Sequence, residues 1–568
     1  MTTPQDAASA AEGAGLSHAA STNEQVEIQQ VEELNEDGTP LSDNQKKKRA
    51  KALEKERKKA ETAAKVAAEK EAREKADVDF SAQNYGALPL NQSQERTGRA
   101  YASIAQFNGS RDGEAVFFTA RIQTSRSPSA KMVFLTLRNR FDCVQAVLAQ
   151  APERVSKHFV KWAASLVPET LVAVEGTLVK SPVPIESATV TVKDAEVRIS
   201  KLHVISAITT DGPLPFYVDE AVRSDAEVAA SQSTDRPMAT IGLDTRLDNR
   251  VLDLRTVTNQ AIFRIQHGVC RLFREYLEDA DFIELHTPKL QGAATESGAS
   301  VFKVSYFKGD AFLAQSPQLA KQMAISADFG RVYEIGPVFR AEDSNTPRHM
   351  TEFTGVDLEM AFDEHYHEVL DLLRKLFSFI FQQLPKRYAR EFALVKRQYP
   401  VPDFEVPDEV PRITFQEAVD MLRADGVEIA DNEDFSTEQE RRVGALVKEK
   451  YHSDFVAIDK YPLAVRPFYT MPDPQNPAVS NSYDFLMRGQ EILSGAQRVH
   501  DAGLLEKRMA EAGIKPSDMP SYLNAFRSGC PPHAGAGIGL ERVVFLMLGL
   551  GNIRRASLFP RDPKRLEP

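Results

Sequence analysis

Two runs of alternating apolar and polar residues lie at 331–342 (RVYEIGPVFRAE) and 351–362 (TEFTGVDLEMAF). Successive side chains of a strand point to opposite faces, so each run is typical of a strand. The stretch between them is polar and contains Pro347, and the pattern therefore predicts an antiparallel hairpin. One face of this hairpin is apolar and suits a core. The other face carries Val338, Arg340, Glu342, Phe353, Gly355, Asp357 and Glu359.

The charged face of the hairpin has two interpretations. An arginine offers a planar bidentate donor to phosphate, carboxylates suit an ammonium group, and an aromatic ring gives a base a plane to stack on. The face could therefore be the floor of a ligand site. It could equally be a solvent-exposed sheet face with surface ion pairs, and the pattern alone leaves both open.

Elsewhere the patterning indicates an α+β protein of several domains. Short alternating runs over 81–208 predict a small Greek-key barrel of the OB type, which often binds nucleic acid. Residues 209–245 are polar with scattered prolines and predict a linker. Residues 246–568 are rich in α and β patterns, and open with a helix that is followed by a strand ending at Pro288.

The first 80 residues differ in composition from the rest. Residues 1–43 contain nine acids and no Lys or Arg, and we expect them to be disordered. Residues 44–80 are rich in Ala, Lys and Glu and predict a solvated helix. Its segment 45–59 holds nine basic and two acidic residues, a local charge of +7, although the whole chain carries −11. This helix is either a solubilising element or an arm that binds phosphates.

Other features narrow the class of protein. No apolar run is long enough to span a membrane, and the N-terminus lacks the pattern of a secretory signal. The three cysteines, Cys143, Cys270 and Cys530, are far apart, which fits a reducing cytosol better than a disulfide framework.

Near the C-terminus, GAGIGLERVVF (535–545) places glycines directly before a helix. Glycines allow the backbone to approach a ligand closely. Arg542 at the start of that helix strengthens the case for a ligand site.

Taken together, FRAE with HMTEF, GIGLERVVF, and the helix and strand ending at Pro288 resemble the three signature motifs of class II aminoacyl-tRNA synthetases. Four further stretches are similar to the aspartyl-tRNA synthetases of the eukaryotic cytosol, and the resemblance covers about residues 45–568. These stretches are ATESGASVF (294–302), AQSPQLAKQ (314–322), FTGVDLEMAF (353–362) and EILSGAQR (491–498).

The resemblance implies an ATP site, with Arg340 and Arg542 as its catalytic residues. Arg340 would grip the α-phosphate, while Phe353 and Arg542 would enclose the adenine. The ATP-binding residues that it implies are Arg340, Glu342, His349, Phe353, Glu491, Gly539 and Arg542. It also implies Mg²⁺ held by Asp484, Glu491 and Ser494, whose oxygens are the hard ligands that this ion prefers.

For aspartate, the resemblance implies that Arg498 and Lys321 hold the side-chain carboxylate and that Asp357 holds Lys321. Two cations suit a carboxylate better than an amide, which favours aspartate over asparagine. The full implied set is Glu296, Ser316, Gln318, Lys321, Asp357, Ser494 and Arg498. Thr295-Glu296-Ser297-Gly298 departs from the Ser-Glu-Gly-Gly expected in the family, and we expect the serine in place of a glycine to stiffen this loop slightly.

In the barrel, the resemblance implies that Phe134, Gln145 and Glu196 read the anticodon. From the pattern alone, Phe134 could instead be a core aromatic. Pro288 would lie at the interface of a homodimer.

The implied activity is a cytoplasmic aspartate–tRNA ligase that uses ATP, L-aspartate and the aspartate tRNA. Three alternatives remain at this point: an asparaginyl- or lysyl-type enzyme of the same subclass, a catalytically inactive RNA-binding protein on the same frame, and a tRNA-independent asparagine synthetase.

Overall fold

The computed structural model describes residues 42–75, 79–187, 189–210, 212–292, 301–430 and 433–567. The chain divides into two units, residues 1–79 and 80–568. In the first unit the described residues form helix α1 (Asp43–Lys75), and its described side chains are exposed. The prediction of a solvated helix is therefore confirmed for this segment. The acidic stretch 1–41 lies outside the described residues.

The second unit begins with a closed five-stranded barrel of the OB type, as predicted. Strand β6 pairs with both β4 and β5, and β2 pairs with β3 and β5, which closes the ring. The apolar side of each strand fills one core, with Val133, Leu135 and Leu137 completely buried. The elements are β1 (Tyr85–Ala87), β2 (Ala115–Ser129), β3 (Met132–Asn139), β4 (Asp142–Ala149), α2 (Lys157–Ala164), β5 (Leu171–Lys180) and β6 (Ala195–Ser206).

The segment predicted as a linker is partly packed. Phe216, Val218 and Ala221 are buried, and a helix with a Ser224–Glu227 capping box forms within the segment. The carbonyl of Ala221 accepts hydrogen bonds from side chains of the following region. The helices that lead into that region are α3 (Asp225–Ser231), α4 (Leu243–Asp248), α5 (Arg250–Asp253) and α6 (Val257–Asp279).

Residues beyond α6 form a mixed eight-stranded sheet flanked by helices, in the order β13-β14-β15-β16-β17-β12-β11-β7. Its central pairs are antiparallel, and only the pairs β11–β7 and β13–β14 at its two edges are parallel. Its strands are β7 (Ile283–Glu284), β11 (Arg331–Phe339), β12 (Glu352–Ala361), β13 (Arg412–Thr414), β14 (Phe455–Asp459), β15 (Ser482–Met487), β16 (Gln490–Gln497) and β17 (His533–Gly539). A small separate sheet contains β8 (Leu290–Gln291), β9 (Lys303–Tyr306) and β10 (Gly309–Leu313).

Helices cover this large sheet and complete its main core. The amphipathic α6, predicted from its 3.6-residue spacing, places Ile265, Leu272 and Phe273 in the core cluster. The remaining helices are α7 (Gln318–Ser326), α8 (His367–Arg387), α9 (Ala389–Gln398), α10 (Phe415–Ala424), α11 (Thr437–Tyr451), α12 (Ala502–Glu511), α13 (Pro520–Arg527) and α14 (Leu540–Met547). No helix among the described residues is long and apolar enough to cross a membrane.

Candidate active site

A cavity of about 320 Å³ opens over the centre of the large sheet, and most of the predicted site residues line it. Strands β12, β16 and β17, the loop after β11 and the segment 466–470 contribute to its walls. The predicted residues among its lining are Ser316, Gln318, Arg340, Glu342, His349, Phe353, Asp357, Glu491, Ser494, Arg498, Gly539 and Arg542. Residues that are far apart in the chain are thus brought to one site.

The predicted hairpin is present, and its charged face is not a wet surface. Strands β11 and β12 pair in register, with Glu334 opposite Asp357 and Val338 opposite Phe353. Asp357 is 4% exposed and Glu359 is 0% exposed. The interpretation of this face as a solvent-exposed sheet face is therefore wrong.

The hairpin strand is shorter than its pattern. β11 ends at Phe339, so Arg340 and Glu342 lie beyond it and do not continue its face. The backbone N–H of Arg340 still donates to Thr351 O at 2.9 Å, which keeps the two ends of the loop together. The Arg340 guanidinium carbon lies 5.4 Å from the centroid of the Phe353 ring.

At the other end of the cavity, two cations and two carboxylates form a buried network. The Lys321 ammonium donates to Asp357 Oδ1 at 3.0 Å, as predicted, and also lies 3.3 Å from Glu359 Oε2. Arg498 donates to Glu359 through Nε at 2.9 Å and through Nη2 at 3.2 Å. Glu359, which the hairpin pattern marked without giving it a role, therefore connects the two predicted aspartate-binding cations.

Charge keeps Glu359 ionised in this network. Burial alone would raise the pKa of its carboxyl, but Arg498 and Lys321 outweigh the burial and hold the pKa below its usual value. Removal of one partner from this buried network would leave a charge unpaired, which is strongly destabilising.

Glycines in β17 make room for these carboxylates. A Cβ on Gly535 would stand 2.2 Å from both Glu359 Oε2 and Leu358 O, and a Cβ on Gly537 would stand 3.2 Å from Asp357 Oδ1. The two glycines lie inside the strand rather than in a loop before a helix. Because these glycines have no side chains, they leave room for the carboxylates of the neighbouring strand β12 and for the cavity.

The predicted metal ligands lie on the β15–β16 hairpin, which turns at Arg488 and Gly489. Asp484 is opposite Ser494 in the register. Both are held by Arg466, which donates to Asp484 Oδ1 at 3.0 Å, to Asp484 Oδ2 at 2.7 Å and to Ser494 Oγ at 2.9 Å. Among the described residues no group of three or more His, Cys, Asp or Glu could hold a metal ion.

Two glutamates on this side of the cavity have raised pKa values, the partly exposed Glu491 and the buried Glu541. Desolvation first, and then the nearby Asp484 charge, raise the pKa of Glu491 to about 7. Burial likewise raises the pKa of Glu541 to about 7, although Glu541 accepts hydrogen bonds from Thr354 N at 3.0 and 3.2 Å. Arg542 donates to the backbone oxygen of Glu491 at 2.9 Å and faces the cavity.

Several buried polar atoms of the cavity lining have no hydrogen-bond partner among the described residues. They are Gln318 Nε2, Arg466 Nε and Thr470 Oγ1. Buried polar groups are rarely left unpaired, and each one that is left so needs an explanation. Three such atoms around one cavity indicate a site built for a polar ligand.

His349 lies in the loop between β11 and β12. Its Nδ1 is 2.6 Å from Thr346 Oγ1. Burial first, and then the charge of Arg542, lower the pKa of its imidazole. A neutral ring is the favoured form at this position. The predicted loop residues Thr295 and Glu296 lie outside the described residues.

On the barrel, the predicted anticodon-reading residues lie on the outer face. Phe134 is partly exposed, and Val133 and Leu135 beside it point into the core. The Arg126 guanidinium carbon is 5.1 Å from the centroid of the Phe134 ring. Gln145 Nε2 donates to Glu196 Oε2 at 3.1 Å. The interpretation of Phe134 as a core aromatic is therefore wrong.

Comparison with known proteins places this site in a family. The family described as tRNA synthetases class II (D, K and N) matches residues 242–563. A human protein named "Aspartate--tRNA ligase, cytoplasmic" is 50% identical over 490 residues, which cover 86% of this chain and 96% of the human one. The chain belongs to the aspartate–tRNA ligases of class II.

Solved structures agree with this family. An aspartyl tRNA synthetase from Entamoeba histolytica has a TM-score of 0.78 and 44% identity, over 85% of this chain and 96% of that one. An asparaginyl-tRNA synthetase from Pyrococcus horikoshii, complexed with asparaginyl-adenylate, has a TM-score of 0.69 and 30% identity, over 83% of this chain and 100% of that one. The fold is thus shared with an asparaginyl enzyme, and the choice of amino acid rests on side chains of the site.

One wall of this cavity was not predicted from the sequence. The segment 461–472 (YPLAVRPFYTMP) contributes Arg466, Tyr469 and Thr470 to the cavity. It has no helical or strand period that would assign a direction to its side chains. The available signal was Arg466 itself, which is the single charged residue of this proline-bounded stretch.

Proposed function

We propose that the chain joins L-aspartate to the 3′-hydroxyl of the terminal adenosine of its tRNA, in two steps within this one cavity. An aspartate carboxylate oxygen attacks the α-phosphorus of ATP, forms aspartyl-adenylate and expels pyrophosphate. The 3′-hydroxyl then attacks the acyl carbon, and AMP leaves. The observation that carries the proposal is a single cavity lined by Arg340, Phe353 and Arg542 at one end and by Arg498 and Asp357, which holds Lys321, at the other. The cytoplasmic names of the relatives support a cytoplasmic location.

At the nucleotide end, charge and stacking select ATP. Arg340 would bind the α-phosphate and stabilise the negative charge that develops during the attack. Its guanidinium already lies beside Phe353, on whose ring the adenine would stack. Arg542 would cover the other side of the nucleotide, while Glu342 and His349 would stand near the outer phosphates and the tRNA end. Gly539 leaves the backbone accessible beside Arg542.

At the amino-acid end, Arg498 would bind the aspartate side chain. Glu359 occupies its Nε and one hydrogen of Nη2, which leaves the Nη1–Nη2 edge of the guanidinium for a second carboxylate. Lys321 adds positive charge and is held by Asp357 and Glu359. A carboxylate would gain a bidentate charged contact with Arg498 that an amide cannot match.

The α-amino group of aspartate would lie toward Ser316, Gln318 and Glu296. The unpartnered Nε2 of Gln318 lies in this part of the lining. Its amide would orient the bound substrate rather than take part in proton transfer.

Magnesium fits the residues present. Desolvation first, and then the charge of Asp484, raise the pKa of Glu491 to about 7, and a divalent cation would relieve the repulsion between these two carboxylates. Ser494 would add a hydroxyl ligand. The ion, when bound, would neutralise phosphate charge. The side chains of this hairpin would hold that charge in place, and the positioning of substrates by the protein would supply the rest of the rate.

For tRNA, the outer face of the barrel would read the anticodon. Phe134 would stack on a base, and Gln145 and Glu196 would bond base edges after releasing each other. The N-terminal helix would add phosphate contacts that do not depend on sequence. We also propose a homodimer with Pro288 at its interface.

Parallel assays with related amino acids test the function. Pyrophosphate exchange into ATP is measured with aspartate, asparagine and lysine, and transcripts of the aspartate and asparagine tRNAs are then aminoacylated side by side. We expect exchange with aspartate alone and its loss in Arg340→Ala. Exchange with asparagine or lysine would assign the chain to another enzyme of the subclass. Exchange without any aminoacylation would mean that the chain forms the adenylate but does not transfer the amino acid to tRNA.

A further inference from the structure

Arg466 occupies a position that the proposed chemistry does not explain. Its guanidinium chelates both oxygens of Asp484 and also donates to Ser494 Oγ. These are two of the three side chains to which we assign a metal. The contact distances, 2.7 to 3.0 Å, are those of charge-assisted hydrogen bonds. The guanidinium of Arg466 therefore binds the same side chains that we assign to the metal ion.

Tertiary contacts hold the Arg466 side chain and the backbone around it. Its guanidinium carbon is 4.1 Å from the centroid of the Tyr461 ring, and its side chain is 9% exposed. Backbone bridges Pro462–Val479 and Thr470–Arg498 tie the segment on both sides of it. The backbone is therefore fixed, and only the end of the side chain can change partners.

Its hydrogen bonding is also incomplete. Arg466 Nε is buried and has no partner among the described residues. A buried donor without a partner is costly, whereas a phosphate oxygen is a good acceptor for a guanidinium. Arg466 lines the same cavity as Arg340 and Arg542, so its donors reach the space assigned to ATP.

We infer that Arg466 is a resident counter-ion of the substrate site. In the free protein it neutralises Asp484 and aligns Ser494. When a divalent cation and ATP enter, it yields contacts on Asp484 to the metal and turns its donors to phosphate oxygens. It is thus a positioning residue that competes with the metal alone but assists the metal–nucleotide pair. This inference rests on the proposed function of the cavity.

The test is a pair of binding measurements on the full chain carrying Arg466→Met. Binding of Mn²⁺ alone is followed by the loss of the free-ion electron paramagnetic resonance signal. Binding of ATP at saturating Mn²⁺ is followed by calorimetry without aspartate. We expect Mn²⁺ alone to bind on the order of tenfold tighter, since one charged competitor for Asp484 is gone. We expect ATP to bind on the order of tenfold more weakly, since one phosphate donor is gone.

Three further variants identify the cause. Arg466→Lys keeps the charge without the bidentate geometry and should give smaller shifts of the same signs. Adding Asp484→Asn to Arg466→Met should remove the gain in Mn²⁺ affinity. Arg138→Met is the matched control, because it breaks a buried ion pair in the barrel, where Arg138 Nη2 donates to both carboxylate oxygens of Glu169, and it should shift neither affinity.

The opposite signs of the two shifts decide the inference. Unchanged or weaker Mn²⁺ binding in Arg466→Met, or unchanged or tighter ATP binding, would overturn it. If Arg466→Met does not fold, the same two measurements on Arg466→Lys give the decision. The proposed function is judged separately by aspartate-dependent exchange in the unaltered protein, which can fail while both shifts are observed.

Discussion

At the scale of single residues, we expect Glu359 to maintain the proposed amino-acid end of the cavity. It is completely buried and contacts both Arg498 and Lys321. Glu359→Gln keeps the shape of the side chain but removes a counter-charge from two buried cations. Breaking a buried ion pair in this way typically lowers the free energy of unfolding by about 3–5 kcal/mol. We expect the KM for aspartate to rise at least about tenfold, while the KM for ATP stays within about twofold. Exchange assays at varied aspartate and ATP measure both.

A neighbouring carboxylate provides the control for this prediction. Glu334 is also buried on the same sheet, but it binds Thr287 and Lys289 away from the cavity. Glu334→Gln should lower stability without a selective rise in the KM for aspartate. Equal rises in the two variants would mean that Glu359 acts only through stability.

The raised pKa of Glu541 predicts that the stability of the protein depends on pH. Burial raises its folded-state pKa to about 7, above an unfolded value near 4.5. Its protonated form therefore favours folding below about pH 4.5, and this contribution is lost as the pH rises through 7. The loss amounts to roughly 3 kcal/mol. Glu541→Gln lacks this titration, so its thermal midpoint should exceed that of the unaltered protein by a margin that grows from pH 5 to pH 8. A constant margin would contradict the prediction.

The sequence did not allow us to predict which side chains of the site contact each other. The alternation of β12 correctly marked Asp357 and Glu359 as sharing a face, because side-chain direction follows a local period. The partner of Glu359 is Arg498, 139 residues away, and no local pattern fixes such a distance. Arg466 was missed for a related reason, since its segment is irregular and its direction is set by tertiary contacts with Asp484, Ser494 and the Tyr461 ring.

At the scale of elements, the β12–β17 pair depends on glycine at graded positions. An alanine Cβ would stand 2.2 Å from the Leu358 carbonyl oxygen at Gly535, 3.2 Å from Asp357 Oδ1 at Gly537, and 3.6 Å from Arg542 Cβ at Gly539. None of the three glycines has a positive φ, so backbone strain does not separate them. We expect Gly535→Ala to lower the thermal midpoint most, by an overpacking cost of about 1–3 kcal/mol or more.

The series of alanine variants is its own control. Gly537→Ala should be milder than Gly535→Ala, because a side-chain oxygen can move where a backbone carbonyl cannot. Gly539→Ala should be close to neutral, since its Cβ would make an ordinary contact. Any other order of thermal midpoints would show that the strand spacing adapts.

The elements themselves were largely predictable, for physical reasons that differ between them. The barrel strands, the β11–β12 hairpin and α6 have strong periods, so their faces could be assigned. The strand that was predicted to end at Pro288 is β7, which comprises only Ile283–Glu284. Its pairing is confined to two positions of β11, Val332 and Tyr333, and a strand without a partner is not formed.

At the scale of the whole molecule, charge is divided between segments. The chain carries −11, yet residues 45–59 carry +7 and residues 1–43 carry nine acids without a base. The described basic side chains of helix α1 are exposed and the helix has a weak apolar face, so a buried apolar face does not account for its composition. Its composition suits contact with a polyanion instead.

Deletion of residues 1–77 should therefore weaken tRNA binding and also make it less sensitive to salt. Each lost phosphate contact lowers the slope of log K against log salt by about 0.7–0.9. Adenylate formation should be unchanged, because every residue assigned to that step lies between 296 and 542. Deletion of only residues 1–43 is the matched control, since it removes nine acids and keeps the basic run, and it should leave tRNA binding equal or tighter. Titrations of labelled tRNA at several salt concentrations measure the slopes. Equal affinity and slope after the longer deletion would reduce the helix to a solubilising element.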